Sequence, residues 1–126
     1  MLAFIAGLSL VASVASAEPP STMPLSPPRI AVEERLDTET IKGLAGWYAR
    51  QYEVDEELVK SIIQCESSWN PEARNPNSSA KGLMQIIDGT WEHFDCSGDV
   101  LNAYDNLACG MKILSTSGKH HWEQCL

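Results

Sequence analysis

The sequence has few basic residues and lacks several patterns that define common protein classes. Its 9 Lys and Arg residues stand against 17 Asp and Glu residues, which gives a formal net charge of −8. Nucleic-acid binding requires a basic surface, so DNA and RNA are not expected partners. No phosphate-binding glycine motif, internal repeat or sustained alternating strand pattern is present. What remains is a small acidic chain whose main periodicity is helical.

The N-terminal part of the chain predicts export. Residues 2–17 carry no charge and end in Ala15-Ser16-Ala17, a small-x-small pattern typical of signal-peptide cleavage. We therefore predict a signal peptide at residues 1–17 and a location in the periplasm, the cell wall or the extracellular space. No Lys or Arg precedes the apolar run, and an uncleaved anchor helix is the alternative. The run is shorter than the roughly 20 residues that span a bilayer, so no stable membrane span is expected after cleavage.

The next segment, residues 18–33, contains five of the seven prolines together with Ser and Thr. This composition predicts an extended linker, with a single folded domain at residues 34–126.

The cysteines predict disulfides rather than a metal site. No CxxC pair is present, and His120 and His121 are adjacent instead of helically spaced, so zinc is not expected. An even number of cysteines in a small exported domain indicates two disulfides, with three possible pairings. Each disulfide stabilises such a fold by roughly 2–4 kcal/mol. The four residues are Cys65, Cys96, Cys109 and Cys125.

Helical spacing and capping residues define the folded part. Asp37 or Thr38 can begin a helix that runs to Tyr52, and Asp55 can cap a second helix over Glu56–Ser67. Residues 70–81, rich in Asn, Pro and Ser, predict a loop. Further candidate caps are Asp88 or Thr90, for a short helix containing Trp91 and Phe94, and Asn102, for a helix containing Leu107, Gly110, Met111 and Leu114. Gly110 costs helix stability, so we expect it to permit the close approach of another helix.

One carboxylate lies on the apolar face of the second predicted helix. Val59, Ile62, Ile63 and Glu66 follow the spacing i, i+3, i+4 and i+7, and Asn70-Pro71 ends the helix soon afterwards. Apolar neighbours and the negative end of the helix dipole both disfavour the charged form of Glu66 and raise its pKa. A general acid that works near neutral pH requires such a pKa. The alternative is a solvated glutamate at a frayed helix end.

Several motifs in this order resemble the soluble lytic transglycosylase (SLT) domain family, which has the goose-type-lysozyme fold. The resemblance runs from about Ile41 to Leu114 and implies a mainly α, lysozyme-like domain, here with disulfides. It implies a monomer without a metal or organic cofactor. The motifs are Glu66-Ser67, Asn70-Pro71, Ala73, Ala80, Gly82-Leu83-Met84-Gln85, Thr90 and Asn106-Leu107 with Gly110 and Leu114.

The resemblance implies cleavage of the peptidoglycan glycan strand between N-acetylmuramic acid and N-acetylglucosamine. Glu66 would be the only catalytic carboxylate, protonating the glycosidic oxygen and then deprotonating the muramyl C6 hydroxyl to give a 1,6-anhydro product. One residue acting as acid and then base needs a pKa near the working pH. The implied substrate contacts are Ser67, Met84, Gln85, Asn106 and Tyr104.

Some features depart from the family pattern. Asp88 replaces a common Pro, and the chain ends in HHWEQCL without the Ala-Tyr-Asn motif whose Tyr normally lies beside the catalytic Glu. Tyr104, or Trp122 brought back by a disulfide, are candidates for that place. For the disulfides, the resemblance favours Cys65 with Cys109 and Cys96 with Cys125, because it places the helix carrying Cys109 near the catalytic helix.

Two other functions fit the same sequence. A muramidase would hydrolyse the same bond, and an inverting one needs a second carboxylate about 6.5–9.5 Å from the acid. The alternative from another class is a non-catalytic wall-binding module. Candidates for the second carboxylate are Asp88, Asp95, Asp99 and Asp105, and candidates for stacking on sugars in either case are Trp69, Trp91 and Trp122.

Overall fold

The computed structural model describes residues 36–126, so the predicted signal peptide and linker lie outside the described residues. The described part is mainly α, as predicted. Its elements are α1 (Thr38–Gln51), α2 (Glu56–Ser67), α3 (Asp88–His93), α4 (Ala103–Ser117) and a C-terminal 3₁₀ helix (His120–Cys125). Within residues 36–126, no helix is both long and apolar enough for a membrane crossing.

Three predicted N-caps are confirmed. A side-chain oxygen of Asp37 accepts the Thr40 N–H at 2.7 Å, and one of Asp55 accepts the Glu57 N–H at 3.0 Å. Asn102 caps α4 in the same way. Each bond satisfies a backbone donor that the first turn of a helix leaves free, which is why these helices begin where the sequence predicts.

The start of α3 differs from the prediction. Its N-cap is Ile87, which makes no side-chain capping bond, and Asp88 is the first helical residue. Ser79 Oγ accepts the N–H of Asp88, and the Asp88 carboxylate pairs with Lys81 Nζ at 3.0 Å. The loop before α3 therefore fixes the start of this short helix, and Phe94 lies just after its end.

The core lies where α1 packs against α2 and α4, and the C-terminal 3₁₀ helix packs against α2. The loop at residues 70–87 folds back on itself through isolated bridges that join Lys81 to Arg74 and to Ile86. Fully buried side chains from the helices and from this loop fill the centre. The largest are Tyr48, Ile41, Ile62, Ile63, Leu83, Met84, Leu107, Met111 and Ile113.

Gly110 permits close approach, as predicted, but its neighbour is not a helix. A Cβ atom built at Gly110 would collide with the sulfur of Met84, which comes from the segment before α3. Met84 is completely buried in this position. The glycine in α4 thus makes room for a side chain that anchors the loop onto the helix.

The predicted disulfide pairing is wrong. The bonds join Cys65 to Cys125 and Cys96 to Cys109, with Cα–Cα distances of 5.8 Å and 5.5 Å. The reason is the path of the C-terminal segment, which returns to α2 and brings Cys125 beside Cys65. Cys109 in α4 is instead paired with Cys96, which follows α3. A disulfide requires Cα atoms within about 7 Å, so the tail's path decides the pairing.

Candidate active site

Glu66 is the penultimate residue of α2, and the chain turns sharply just after it. Ser68 and Trp69 both have left-handed backbone conformations, with φ angles of 51° and 67°. The turn is closed by a hydrogen bond from the Asn70 N–H to the Ser67 carbonyl at 3.0 Å. Left-handed non-glycine residues are uncommon and often mark functional sites. This turn ends α2 one residue after Glu66, which places Glu66 at the negative end of the helix dipole.

Within residues 36–126, burial is the cause that acts on the Glu66 carboxyl group, and it raises its pKa. The last turn of α2 contains no basic residue that would favour the carboxylate. The sulfur of Cys125 lies 3.3 Å from Glu66 Oε2. Because this sulfur is in a disulfide, it has no hydrogen to donate to the carboxylate. The surroundings of Glu66 therefore favour its protonated form.

The hydroxyl of Ser67 points into α2. Its Oγ donates a hydrogen bond to the Ile63 carbonyl at 3.2 Å, and the residue is buried. This bond is typical of serine inside a helix. Because its proton is used within α2, Ser67 has only its acceptor lone pairs to offer another group. Its contact with a glycan stays a prediction.

Gln85 braces the loop that precedes α3. Its backbone has a φ angle of 49°, and its Nε2 donates to the carbonyls of Ala73 at 3.1 Å and Gly82 at 3.0 Å. The side chain is half-buried. Gln85 also borders a cavity of about 100 Å³ together with Thr90 and Trp122. Its predicted contact with substrate remains compatible with this position.

The predicted substrate contacts of the Met84 and Asn106 side chains are corrected by the structure. Both residues are 0% exposed. Asn106 Oδ1 accepts the Met84 N–H at 2.9 Å, and its Nδ2 donates to the carbonyls of Val100 at 2.8 Å and Lys81 at 3.2 Å. A sequence motif does not distinguish an amide side chain in the core from one that lines a cleft. These two side chains join the loop to α4.

Tyr104 lies in the first turn of α4 and is 5% exposed. Its predicted role beside the substrate stays a prediction.

The C-terminal 3₁₀ helix, which contains Trp122 and Cys125, lies beside the site. Trp122 is buried, and its Nε1 donates to the Met84 carbonyl at 2.8 Å. Cys125 is bonded to Cys65, the residue immediately before Glu66. The C-terminal segment therefore lies beside the carboxyl group, where Cys125 makes the contact and Trp122 anchors the segment to the core.

The four candidates for a second carboxylate are engaged elsewhere or exposed. Asp88 pairs with Lys81, and its side chain is 72% exposed. A side-chain oxygen of Asp99 accepts the N–H of Leu101, and one of Asp105 accepts the N–H of Asp99. Asp95 is exposed. Among the residues that the structure describes, no neighbouring carboxylate contributes to the raised pKa of Glu66.

Among residues 36–126, no group of three or more His, Cys, Asp or Glu side chains could hold a metal ion. The sulfur beside Glu66 belongs to a disulfide, and disulfide sulfurs are not the thiolates that bind metals. The chemistry of the site is that of a single partly buried carboxylic acid.

Comparison with known protein families finds a match over the folded part of the chain. The family described as the transglycosylase SLT domain matches residues 44–123, more than half of the chain. The matched span begins in α1, contains Glu66 and includes Trp122. No solved structure matches the chain.

Proposed function

The chain belongs to the transglycosylase SLT domain family, and we propose that it is a lytic transglycosylase with Glu66 as its only acid and base. The family membership assigns it generally to enzymes that cleave glycosidic bonds and gives peptidoglycan as the substrate. The proposal concerns the finer points: the bond between N-acetylmuramic acid and N-acetylglucosamine, the catalytic residue and the anhydro product.

The observation that carries this proposal is the environment of Glu66. Its carboxyl group is partly buried at the end of α2, and this burial raises its pKa. A carboxylic acid that stays protonated closer to neutral pH can donate a proton to a leaving oxygen. The left-handed turn after Ser67 and the disulfide at Cys65 fix the helix end on both sides of this residue.

The proposed reaction uses the same carboxyl group twice, first as an acid and then as a base. Protonated Glu66 gives its proton to the glycosidic oxygen as the bond from C1 of the muramyl residue breaks. The resulting carboxylate takes the proton of the muramyl C6 hydroxyl, whose oxygen then bonds to C1. Glu66 ends protonated, as it began, and no water is consumed. One residue can perform both steps because the same pKa serves the acid and the base.

The carboxylates favour this mechanism over inverting hydrolysis. An inverting glycosidase needs a second carboxylate to activate water. Three of the candidates accept structural hydrogen bonds from Lys81 or from backbone N–H groups, and these bonds give them a structural role. They are Asp88, Asp99 and Asp105.

Disulfide formation supports an extracytoplasmic location, in which peptidoglycan would be accessible. Export through a signal peptide at residues 1–17 is part of this proposal. It is tested by N-terminal sequencing of the protein recovered from a secreting host.

The decisive experiment is digestion of purified peptidoglycan followed by mass spectrometry of the released fragments. We expect 1,6-anhydromuramic acid ends, which are lighter by one water than reducing ends. Glu66→Gln should abolish release, and Glu57→Gln, the same change in the exposed first turn of α2, should leave release unchanged. Reducing ends alone would identify a hydrolase. Equal release by wild type and Glu66→Gln would overturn the assignment of Glu66.

A further inference from the structure

A disulfide directly borders the carboxyl group of Glu66. Cys65 precedes Glu66 in α2, and its bonded partner Cys125 places a sulfur 3.3 Å from Glu66 Oε2. Cys65 is exposed and Cys125 is half-buried, so this bond lies at the edge of the domain rather than in the core. A sulfur at van der Waals distance occupies space that water would otherwise fill.

We propose that Cys125 is a positioning residue, whose disulfide to Cys65 covers one edge of the Glu66 carboxyl group and excludes water from it. The sulfur offers no hydrogen and no charge, so it cannot compensate the carboxylate for the water it displaces. The bond would thereby hold the acid in its protonated form over a wider pH range. The prediction about enzyme activity rests on the proposed function, whereas the prediction about the pKa of Glu66 does not.

The C-terminal segment is attached to the domain at two independent points. The disulfide is one, and the other is Trp122, which is 2% exposed and bonded to the Met84 carbonyl at 2.8 Å. Two attachments hold the Cys125 sulfur in a fixed place beside Glu66. They also imply that the segment stays docked through Trp122 when the disulfide is removed, so the effect on Glu66 can be separated from unfolding.

Charged side chains of the neighbouring described elements do not explain the raised pKa of Glu66. Helix α1 and the 3₁₀ helix both pack against α2. The titratable side chains are Glu39, Lys42, Tyr48 and Arg50 on α1, and His120, His121 and Glu123 on the 3₁₀ helix. Within residues 36–126, none of these side chains contributes to the shift of the Glu66 pKa. His120 bonds to the Ser117 carbonyl, and burial together with the other histidines lowers the pKa of His121. Burial remains the cause that acts on Glu66.

The chain supplies a matched control in its second disulfide. Cys96 and Cys109 join the segment after α3 to α4, and their sequence separation is 13 residues against 60 for the first pair. Removing this bond also removes a crosslink and two sulfurs, but it leaves the Cys125 sulfur beside Glu66. A general loss of stability would appear in both variants. A change in the pKa of Glu66 should appear only in the variant that lacks the Cys65–Cys125 bond.

The experiment measures the pKa of Glu66 by NMR of its side-chain carboxyl carbon in three proteins. These are the wild type, Cys65→Ala with Cys125→Ala, and Cys96→Ala with Cys109→Ala. We expect the first double variant to lower the pKa of Glu66 and the second to leave it at the wild-type value. In peptidoglycan digestion, the high-pH limb of kcat/KM should move to lower pH in the first variant only.

The outcomes separate the inference from the function. An unchanged Glu66 pKa in the folded Cys65→Ala, Cys125→Ala variant overturns the inference, whatever the activity. A lowered Glu66 pKa in the variant, when the wild type itself does not digest peptidoglycan, supports the inference and refutes the proposed function. If near-ultraviolet circular dichroism shows that the alanine pair does not fold, Cys65→Ser with Cys125→Ser takes its place, because a hydroxyl at position 125 can donate to the carboxylate whereas the disulfide sulfur cannot. We expect this pair to lower the pKa of Glu66, and an unchanged pKa in it overturns the inference there too.

Discussion

The indole nitrogen of Trp122 donates a hydrogen bond to the backbone carbonyl of Met84 across 38 residues of sequence, at a distance of 2.8 Å. The N–H of the same Met84 donates to Asn106 in α4, and its side chain fills the space above Gly110. Met84 therefore joins the loop before α3, helix α4 and the C-terminal segment. Through that segment the network reaches Cys125 and the carboxyl group of Glu66.

Trp122→Phe tests this connection. The smaller ring keeps most of the buried apolar surface but removes the donor to the Met84 carbonyl. Loss of one buried hydrogen-bond partner costs about 1–3 kcal/mol, so we expect a decrease of that size in the free energy of unfolding. Urea denaturation gives the value, and Trp47→Phe on α1, where the indole is half-buried, is the control. Equal losses in the two variants would contradict a specific role for the bond.

The helices could be predicted from the sequence because their signals are local. Asp37, Asp55 and Asn102 each bond to a backbone N–H two or three residues away, and the apolar spacing that follows determines the buried face. The start of α3 was less predictable, because Asp88 is fixed by Ser79 and Lys81 from the preceding loop.

The site could be predicted only where a residue's own helix decides its surroundings. Glu66 lies on the face of α2 that its spacing indicates, and burial raises its pKa as expected. The disulfide pairing depends on where the C-terminal segment returns to the domain. This segment has no apolar periodicity, so its path could not be predicted from the sequence. Met84 and Asn106 belong to a motif typical of a cleft, yet contacts 22 residues apart in sequence place them in the core.

Asn106→Asp should destabilise the domain strongly at neutral pH. The substitution keeps the shape of the side chain but turns an oxygen toward the carbonyls of Val100 and Lys81, where Nδ2 now donates. A buried charge without a partner costs about 3–5 kcal/mol. The cost should shrink in acid, since a protonated Asp can donate to one of these carbonyls. Chemical denaturation at neutral and acidic pH measures both effects.

The control for this change is Asn102→Asp in the same helix. Asn102 caps α4, where Asp is about as favourable as Asn, so a change within about 0.5 kcal/mol is expected. A loss at Asn106 no larger than the loss at Asn102 would show that the buried amide does not join the loop to α4.

Gly110→Ala and Gly43→Ala should have opposite effects on stability. A methyl group at Gly110 meets the sulfur of buried Met84, and such overpacking costs about 1–3 kcal/mol. At Gly43 in α1 the methyl group meets nothing within 4 Å, so the better helix propensity of Ala should add about 0.5–1 kcal/mol. Thermal unfolding of the two variants checks the prediction. Stabilisation by both would mean that Met84 repacks without cost.

Glu66→Gln should stabilise the domain in a pH-dependent manner, whatever its effect on activity. Burial raises the pKa of Glu66 above its ordinary value of 4.5. Below pH 4.5 the side chain is protonated in both the folded and the unfolded chain, so wild type and Glu66→Gln should be equally stable. As the pH rises through the folded pKa, wild type binds more protons when folded than when unfolded and loses stability, whereas the amide does not titrate. The difference in Tm between the two proteins should therefore grow from pH 4.5 upward and level off above the folded pKa.

Glu57→Gln in the first turn of α2 should instead lower Tm at neutral pH, because a negative charge there interacts favourably with the helix dipole. A Tm difference for Glu66→Gln that stays constant with pH would mean that burial does not disfavour the carboxylate.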